Sequence, residues 1–294
     1  MTPAPCAFRP LLSLAFALAW LAGSTGVFAA PSAQLKVVTS ILPIYCLTLG
    51  VAGERATIEN LMAPGADAHD FQFTPRERRA LDRAGLVLLN GLGMEPWLQT
   101  ALARMSARPT VIEVSAGLGD IQAGAAPNPH VWLDPLLACR MVTNICNALR
   151  EADPAHAQAY HAQAAATVTR LERLHEELRL RLQPFRGMAI ITYHDAFAYF
   201  VRRYGLLVAG VIETVPDLEP TPGHLRQLRE TVRRQRVKAI FTEPHHAGKL
   251  ARQLGEDLNI PVATLDTLEN GPLEADAYEA GMRRNLRVLE QTLR

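Results

Sequence analysis

DPAHAQAYHAQAAATVTRLERLHEELRLRLQP, Asp153 to Pro184, is the stretch around which this 294-residue chain is organised. Asp153 can cap a helix with Pro154 at its first position, and Tyr160, Ala164, Thr167, Leu171, Leu174, Leu178 and Leu182 recur every three or four residues on one face. Pro184 ends the pattern. The spacing predicts one helix over 154–182, roughly 43 Å long at about 1.5 Å per residue. That is longer than a small lobe is wide and suits a rigid beam joining the N-terminal and C-terminal parts of the chain. A long helix of a single helical domain is the alternative that periodicity leaves open. Arg173 with Glu177, and Glu177 with Arg181, are four apart and can pair on the outer face, where His156, His161 and His175 read as solvated.

The first 30 residues read as a secretory signal. Arg9 precedes the 12-residue apolar run Leu11 to Ala22, and small residues then lead to Val27-Phe28-Ala29-Ala30, with cleavage after Ala29 or Ala30. The run is short for a bilayer span and no later segment is apolar for long enough, so a soluble, exported protein is expected. Cys6 lies upstream of the run and no Cys follows the cleavage region, which leaves lipid attachment at a new N-terminus without its nucleophile. A net charge of +1 gives no reason to propose nucleic acid or an anionic membrane as partner. Cys46, Cys139 and Cys146 make an odd set that does not form a disulfide framework. Buried free thiols are the default reading, with Cys46 pairing across space as the alternative.

Apolar runs alternate with helical signals on both sides of the beam. Strands are predicted at Leu35–Ile41, Thr57–Leu61, Leu86–Leu89 and Thr110–Val114, then at Met188–Thr192, Leu206–Glu213, Val237–Thr242 and Val262–Leu265. Thr74-Pro75 with Glu77, Asp134-Pro135 and Thr221-Pro222 each supply a helix cap followed by proline at the first helical position. The fold class is therefore α/β: two lobes with parallel sheets joined by one long helix. The boundaries are a signal at 1–30, an N-terminal lobe at 31–152, the linking helix at 153–183 and a C-terminal lobe at 184–294.

The candidate ligands stand at comparable places, after strands or just before helices: His69 and His130 in the first half, His194 and Asp266 in the second. In open parallel sheets the carboxyl ends of strands face the ligand crevice. Three imidazoles and a carboxylate suit Zn²⁺ in a tetrahedral site. Their separations of 61, 64 and 72 residues match no short motif, and the residues alone leave a metal site and scattered polar loop residues both open. His224, in the first turn of a helix, weighs less, and His245 and His246, which follow Glu243-Pro244 at another strand end, are the best competitors for a ligand position. Glu243 reads as a ligand or as a carboxylate that orients a ligating imidazole through its second nitrogen.

Taken in order, Leu61-Met62-Ala63-Pro64-Gly65-Ala66-Asp67-Ala68-His69-Asp70-Phe71-Gln72-Phe73-Thr74-Pro75, Asn128-Pro129-His130-Val131-Trp132-Leu133-Asp134-Pro135, Tyr193-His194-Asp195-Ala196-Phe197, Glu219-Pro220-Thr221-Pro222, Phe241-Thr242-Glu243-Pro244 and Leu265-Asp266 resemble the zinc and manganese binding proteins of bacterial ABC importers. The resemblance implies two αβ lobes, a long helix between them, small lobe movement, and a metal held by His69, His130, His194 and Asp266. His at the third position, where manganese proteins tend to have Glu, makes Zn²⁺ the expected cargo and Mn²⁺ the lesser alternative. Two departures stand out. The segment Ser115 to Asn128 has one Asp and no His where many zinc proteins carry a His-rich loop, and Asp266-Thr267-Leu268-Glu269 stands where Asp-Pro-Leu-Gly is common.

The implied function is capture of one Zn²⁺ per chain in the periplasm and delivery to a cognate ABC permease, by a monomer, with a periplasmic metallochaperone as a further candidate partner. Affinity is expected to fall below about pH 6.5 as His protonates. No catalysis is expected, because four protein ligands leave no open position for activated water. The rivals are a manganese receptor, a zinc hydrolase with Asp266 or Glu243 as base, a metal-stabilised adhesin, and a receptor for siderophores or vitamins.

Overall fold

The computed structural model describes residues 34–66, 71–105, 108–123, 126–214, 220–244 and 248–294. The signal segment, His69, His245 and His246 lie outside the described residues.

The first half runs β1 (Leu35–Thr39), α1 (Leu42–Ala52), β2 (Ala56–Asn60), α2 (Pro75–Arg83), β3 (Leu86–Leu89), α3 (Pro96–Ala103) and β4 (Thr110–Glu113). A two-residue antiparallel pair comes next, β5 (Gln122–Ala123) with β6 (Ala126–Pro127), and then α4 (Pro135–Ala152). The long helix α5 (Ala157–Leu182) leads into β7 (Ala189–Thr192), α6 (Ala198–Tyr204), β8 (Leu207–Val211), α7 (Pro222–Gln235), β9 (Ala239–Thr242), α8 (Lys249–Leu258), β10 (Val262–Thr264) and α9 (Ala277–Thr292). The eight strands expected from the apolar runs are all present, to within a few residues at their ends.

Both four-stranded sheets are parallel. Their orders are β2-β1-β3-β4 and β10-β9-β7-β8. In each sheet the direction of winding reverses, between β1 and β3 in one and between β7 and β9 in the other. Such a switch point opens a crevice beyond the strand ends. The strands β3, β7 and β9 are buried throughout, which is why they read as continuous apolar runs rather than alternating ones.

The α5 stripe buries the seven residues that the spacing picked out, Tyr160 to Leu182. The α-helix proper has 26 residues, about 39 Å. The expected cap at Asp153 takes another form: residues 154–156 form a 3-10 turn, and no backbone amide is capped by the Asp153 side chain. Its Oδ2 instead accepts Tyr160 Oη–H at 2.6 Å and lies 2.7 Å from His156 Nδ1, so the carboxylate fastens the first turn through side chains. His175 is also less solvated than its charged neighbours suggest; it lies against the Tyr204 ring, with Nδ1 3.3 Å from the hydroxyl.

Three apolar clusters hold the halves. The largest runs from the face of the first sheet through α1, α4, α5 and α9 to the face of the second. Two smaller ones cover the opposite faces, under α2 and α3 and under α7 and α8. Close approach of α1 to α5 depends on Gly50, whose carbonyl accepts Thr167 Oγ1–H at 2.9 Å and where a Cβ would come within 2.9 Å of that same oxygen. On the exposed side Glu177, expected to pair with Arg181, does so at 3.2 Å and also meets Arg283 of α9 at 2.9 Å. Cys46, Cys139 and Cys146 are free thiols.

At the first switch point sits a buried carboxylate. Glu95 Oε1 accepts Ser40 Oγ–H at 2.6 Å and Asn90 N–H at 2.8 Å, and Oε2 accepts Gly91 N–H at 3.0 Å. Burial outweighs these donors and raises Glu95 to about 7. A carboxyl raised in the folded state stabilises most below its unfolded value near 4.5 and loses that contribution as pH rises through 7, about 3 kcal/mol in all. Denaturant unfolding of wild type and Glu95→Gln from pH 5 to 8 is expected to show the stability difference shifting towards the variant by that order as pH rises; a pH-independent difference would contradict it.

Candidate metal centre

His130 is set by the turn that starts α4. Asp134 Oδ1 accepts Leu136 N–H at 3.0 Å, Pro135 takes the first helical position, and residues 131–133 form a 3-10 turn that swings His130 back over the crevice. Asp134 Oδ2 also pairs with Arg203 of α6. The His130 residue is 4% exposed. Asn128 Oδ1 accepts His130 N–H at 3.0 Å and lies 2.9 Å from Nδ1. An amide oxygen can only accept, so Nδ1 carries the proton and Nε2 holds the ring's lone pair.

His194 stands two residues beyond the end of β7, and Glu243 one residue beyond β9, on either side of the second switch point. Glu243 Oε1 lies 2.7 Å from His194 Nδ1 and accepts the His194 backbone N–H at 3.3 Å. The same tautomer results, with Nε2 turned the other way. Burial opposes charge on this ring, but the bond to Glu243 and its charge outweigh burial, with Glu269 and Asp195 adding, and hold His194 at about 9.

These two Nε2 atoms meet at 3.2 Å. Glu269, 6% exposed, brings Oε1 to 3.4 Å from His130 Nε2. Among the described residues His130, His194 and Glu269 form the group of donors that could hold one ion, with ligand atoms all within 4.8 Å of one another. Donors about 2.0–2.1 Å from a tetrahedral Zn²⁺ stand about 3.3 Å apart, and the separations of 3.2 and 3.4 Å suit two such edges. Each imidazole also gives its second nitrogen to an oxygen acceptor, the arrangement that fixes a metal-binding histidine.

Asp266 is placed differently from His130 and His194. Its Oδ1 accepts Leu268 N–H at 2.8 Å and its Oδ2 lies 3.8 Å from Arg284; the group of three found among the described residues, which do not include His69, is formed without it. Its backbone is held by Asn285, which accepts the Asp266 N–H at 2.9 Å and donates to the carbonyl at 2.7 Å. His224, by contrast, is tied to the Val211 carbonyl at 2.8 Å. Sequence reasoning missed Glu269 and Asn128. Both signals were there: Glu269 is the departure from Asp-Pro-Leu-Gly, and Asn128 opens the motif that carries His130.

Asn128 also reaches across the crevice. Its Nδ2 donates to the Asp195 carbonyl at 2.6 Å, beside His194. Tyr199 of α6 donates to the Asn128 carbonyl at 3.0 Å, and Arg202 pairs in a fork with Asp120. Asn128 and Asp120 thus tie the segment ahead of His130 to the second half.

The fold and the buried His-His-Glu group together define a metal-binding receptor of the two-sheet type. Residues 37–292 match the family described as ZnuA, zinc-uptake complex component A, periplasmic, and the chain belongs to that family. It is 30% identical over 252 residues to the iron-binding protein YfeA of Yersinia pestis, covering 82% of this chain and 81% of that one. It is 27% identical over 281 residues to the high-affinity zinc uptake system protein ZnuA of Bacillus subtilis, covering 88% of each. Among solved structures, the binding protein FpvC of Pseudomonas aeruginosa in complex with Mn²⁺ superposes with a TM-score of 0.82 at 26% identity, over 88% of this chain and 98% of that one.

Replacing Asn128 by Ala removes the acceptor of His130 Nδ1 and the bridge to Asp195 together. Metal affinity, measured by competition with a chelating dye, is expected to drop about 10–100-fold while far-ultraviolet circular dichroism is unchanged. Unaltered affinity would show that His130 is oriented by other contacts.

Proposed function

We propose that this chain captures Zn²⁺ outside the cytoplasmic membrane and delivers it to an ABC-type permease. The observation that carries the reading is the meeting of His130 Nε2 and His194 Nε2 at 3.2 Å, each with its other nitrogen held by an acceptor. His69, nominated by its place in the sequence, is proposed to complete the set with a carboxylate from the loop after β10. Borderline nitrogen donors with one carboxylate suit Zn²⁺ better than Mn²⁺, which prefers oxygen. The named relatives and structures include proteins that hold iron and manganese, so selectivity is the point to test.

Burial supports an ion rather than an organic molecule: the three grouped donors are 4–9% exposed. The family is one of binding receptors rather than enzymes. Among the described residues no helix is long and apolar enough to cross a membrane. We read 31–152 and 184–294 as the two lobes and residues 1–30 as the export signal. The partner at the membrane is the permease; a metallochaperone has less support, since the segment where a collecting loop would stand is short of His.

Chelator-stripped protein is expected to take one Zn²⁺ tightly and Mn²⁺ at least about 100-fold more weakly, with His194→Ala lowering zinc affinity by at least about 100-fold and leaving the fold intact. His194 is held at about 9, so below that pH the ion must displace its proton. Calorimetry at about pH 7.5 in buffers of different ionisation enthalpy is expected to register about one proton released per zinc, with affinity falling about tenfold per pH unit. No tight zinc binding by wild type would overturn the reading.

A further inference from the structure

A second concave feature lies at the other end of the second sheet from the metal centre. Arg186 stands three residues before β7 and Gly205 two before β8, at the amino ends of these strands, whereas His194 follows the carboxyl end of β7. There α5, the 3-10 turn at 183–185 and α6 border an open cavity of about 400 Å³, lined by His175, Arg179, Gln183, Arg186 and Arg203. That volume is in the range of small-ligand sites. Among the described residues the lining carries three guanidinium groups and no carboxylate.

The arginines are held in place with donors to spare. Arg203 gives Nε–H and Nη2–H to Asp134 Oδ2 at 2.8 and 2.7 Å, and Arg179 forks onto Glu176 at 2.7 and 2.6 Å. Each keeps Nη1 for another acceptor. Arg186 has no acceptor for its five guanidinium N–H groups among the described residues. That guanidinium is laid against Gly205, where a Cβ would come within 3.1 Å of Cζ. Asp134 and Glu176 offset two of the three charges, and the charge of Arg186 is left in excess. His175 registers the field: burial and the charge of Arg203 lower its pKa, with Arg179 adding and Asp134 and Glu176 opposing.

We infer that this cavity binds a phosphate-class oxyanion, either inorganic phosphate or the phosphate group of an ester, with the Arg186 fork as its principal contact. A guanidinium presents paired N–H groups that match two oxygens of such an anion, and charge makes these bonds about twice as strong as neutral ones. Nη1 of Arg179 and of Arg203 can serve the other oxygens. The Tyr204 hydroxyl lies 3.3 Å from His175 Nδ1; donating there, it leaves the ring proton on Nε2 as a further donor. The inference stands apart from zinc capture, since no lining residue belongs to the grouped metal donors.

The test is calorimetry of the metal-free protein at constant ionic strength, with inorganic phosphate and glycerol 3-phosphate as separate probes and sedimentation with phosphatidylglycerol vesicles as the lipid arm. Arg186→Gln is expected to weaken binding at least about tenfold, and Arg186→Lys to recover part of it, since a point charge replaces the fork. Arg173→Gln removes the same charge from an exposed position of α5 outside the lining and is expected to stay within about twofold of wild type. The His175 ring resonance, assigned by its loss in His175→Gln, is expected to titrate at higher pH with the anion bound, because an anion favours the charged ring. Thermal unfolding of each variant establishes that it is folded. Arg186-dependent binding of a soluble probe assigns the site to a free anion, and Arg186-dependent binding to vesicles alone assigns it to a lipid headgroup. Binding of none of the three, or equal loss in Arg186→Gln and Arg173→Gln, would overturn the inference.

Discussion

Two imidazole nitrogens, carried by different halves of the chain, are brought to 3.2 Å inside the protein, and the rest of the structure depends on that constraint. Lone pairs so placed repel each other unless a proton or a cation stands between them. Asn128 and Glu243 each accept at Nδ1, so either ring, when neutral, presents its Nε2 lone pair inward. The charge beside His194 also keeps a proton on that ring until an ion displaces it.

The distance is maintained by the core rather than by the loops alone. One apolar cluster continues from sheet to sheet through α4, α5 and α9, so the separation of the two strand-end crevices is part of its packing. Glu177 and its arginine partners on the exposed face add little by comparison, since solvent screens them. Both sheets have a switch point, yet the two differ in use. The first holds Glu95, bonded to Ser40, Asn90 and Gly91, and is linked to the turn that carries His130 through Asn90 Nδ2–H to the Pro129 carbonyl at 3.0 Å. The second holds His194 with Glu243 directly.

Much of this was legible in the chain. The α5 stripe, the proline-bearing helix starts and the alternation of strands and helices depend on local spacing, and the fold reproduces them nearly residue for residue. The capping box at Thr74 and Glu77 is a case where one short motif carried its own geometry. The cap at Asp153 was misread because Tyr160 and His156 compete for its carboxylate, a contact that only the finished helix creates. Glu269 was passed over for a related reason. It stands three residues after Asp266 in one loop, and composition cannot say that the turn at Leu268 brings its carboxylate to 3.4 Å from His130 Nε2. Asn128 looked like ordinary loop polarity until the crevice placed it between His130 and Asp195.

The most direct test of metal capture between His130 and His194 is the zinc K-edge X-ray absorption spectrum of the protein loaded with one equivalent of Zn²⁺. Four nitrogen or oxygen neighbours at about 2.0–2.1 Å, with the outer-shell scattering of at least two imidazoles, is the result expected. Sulfur scattering near about 2.3 Å, or a shell of oxygens without imidazole, would contradict the claim that His130 and His194 close on the ion.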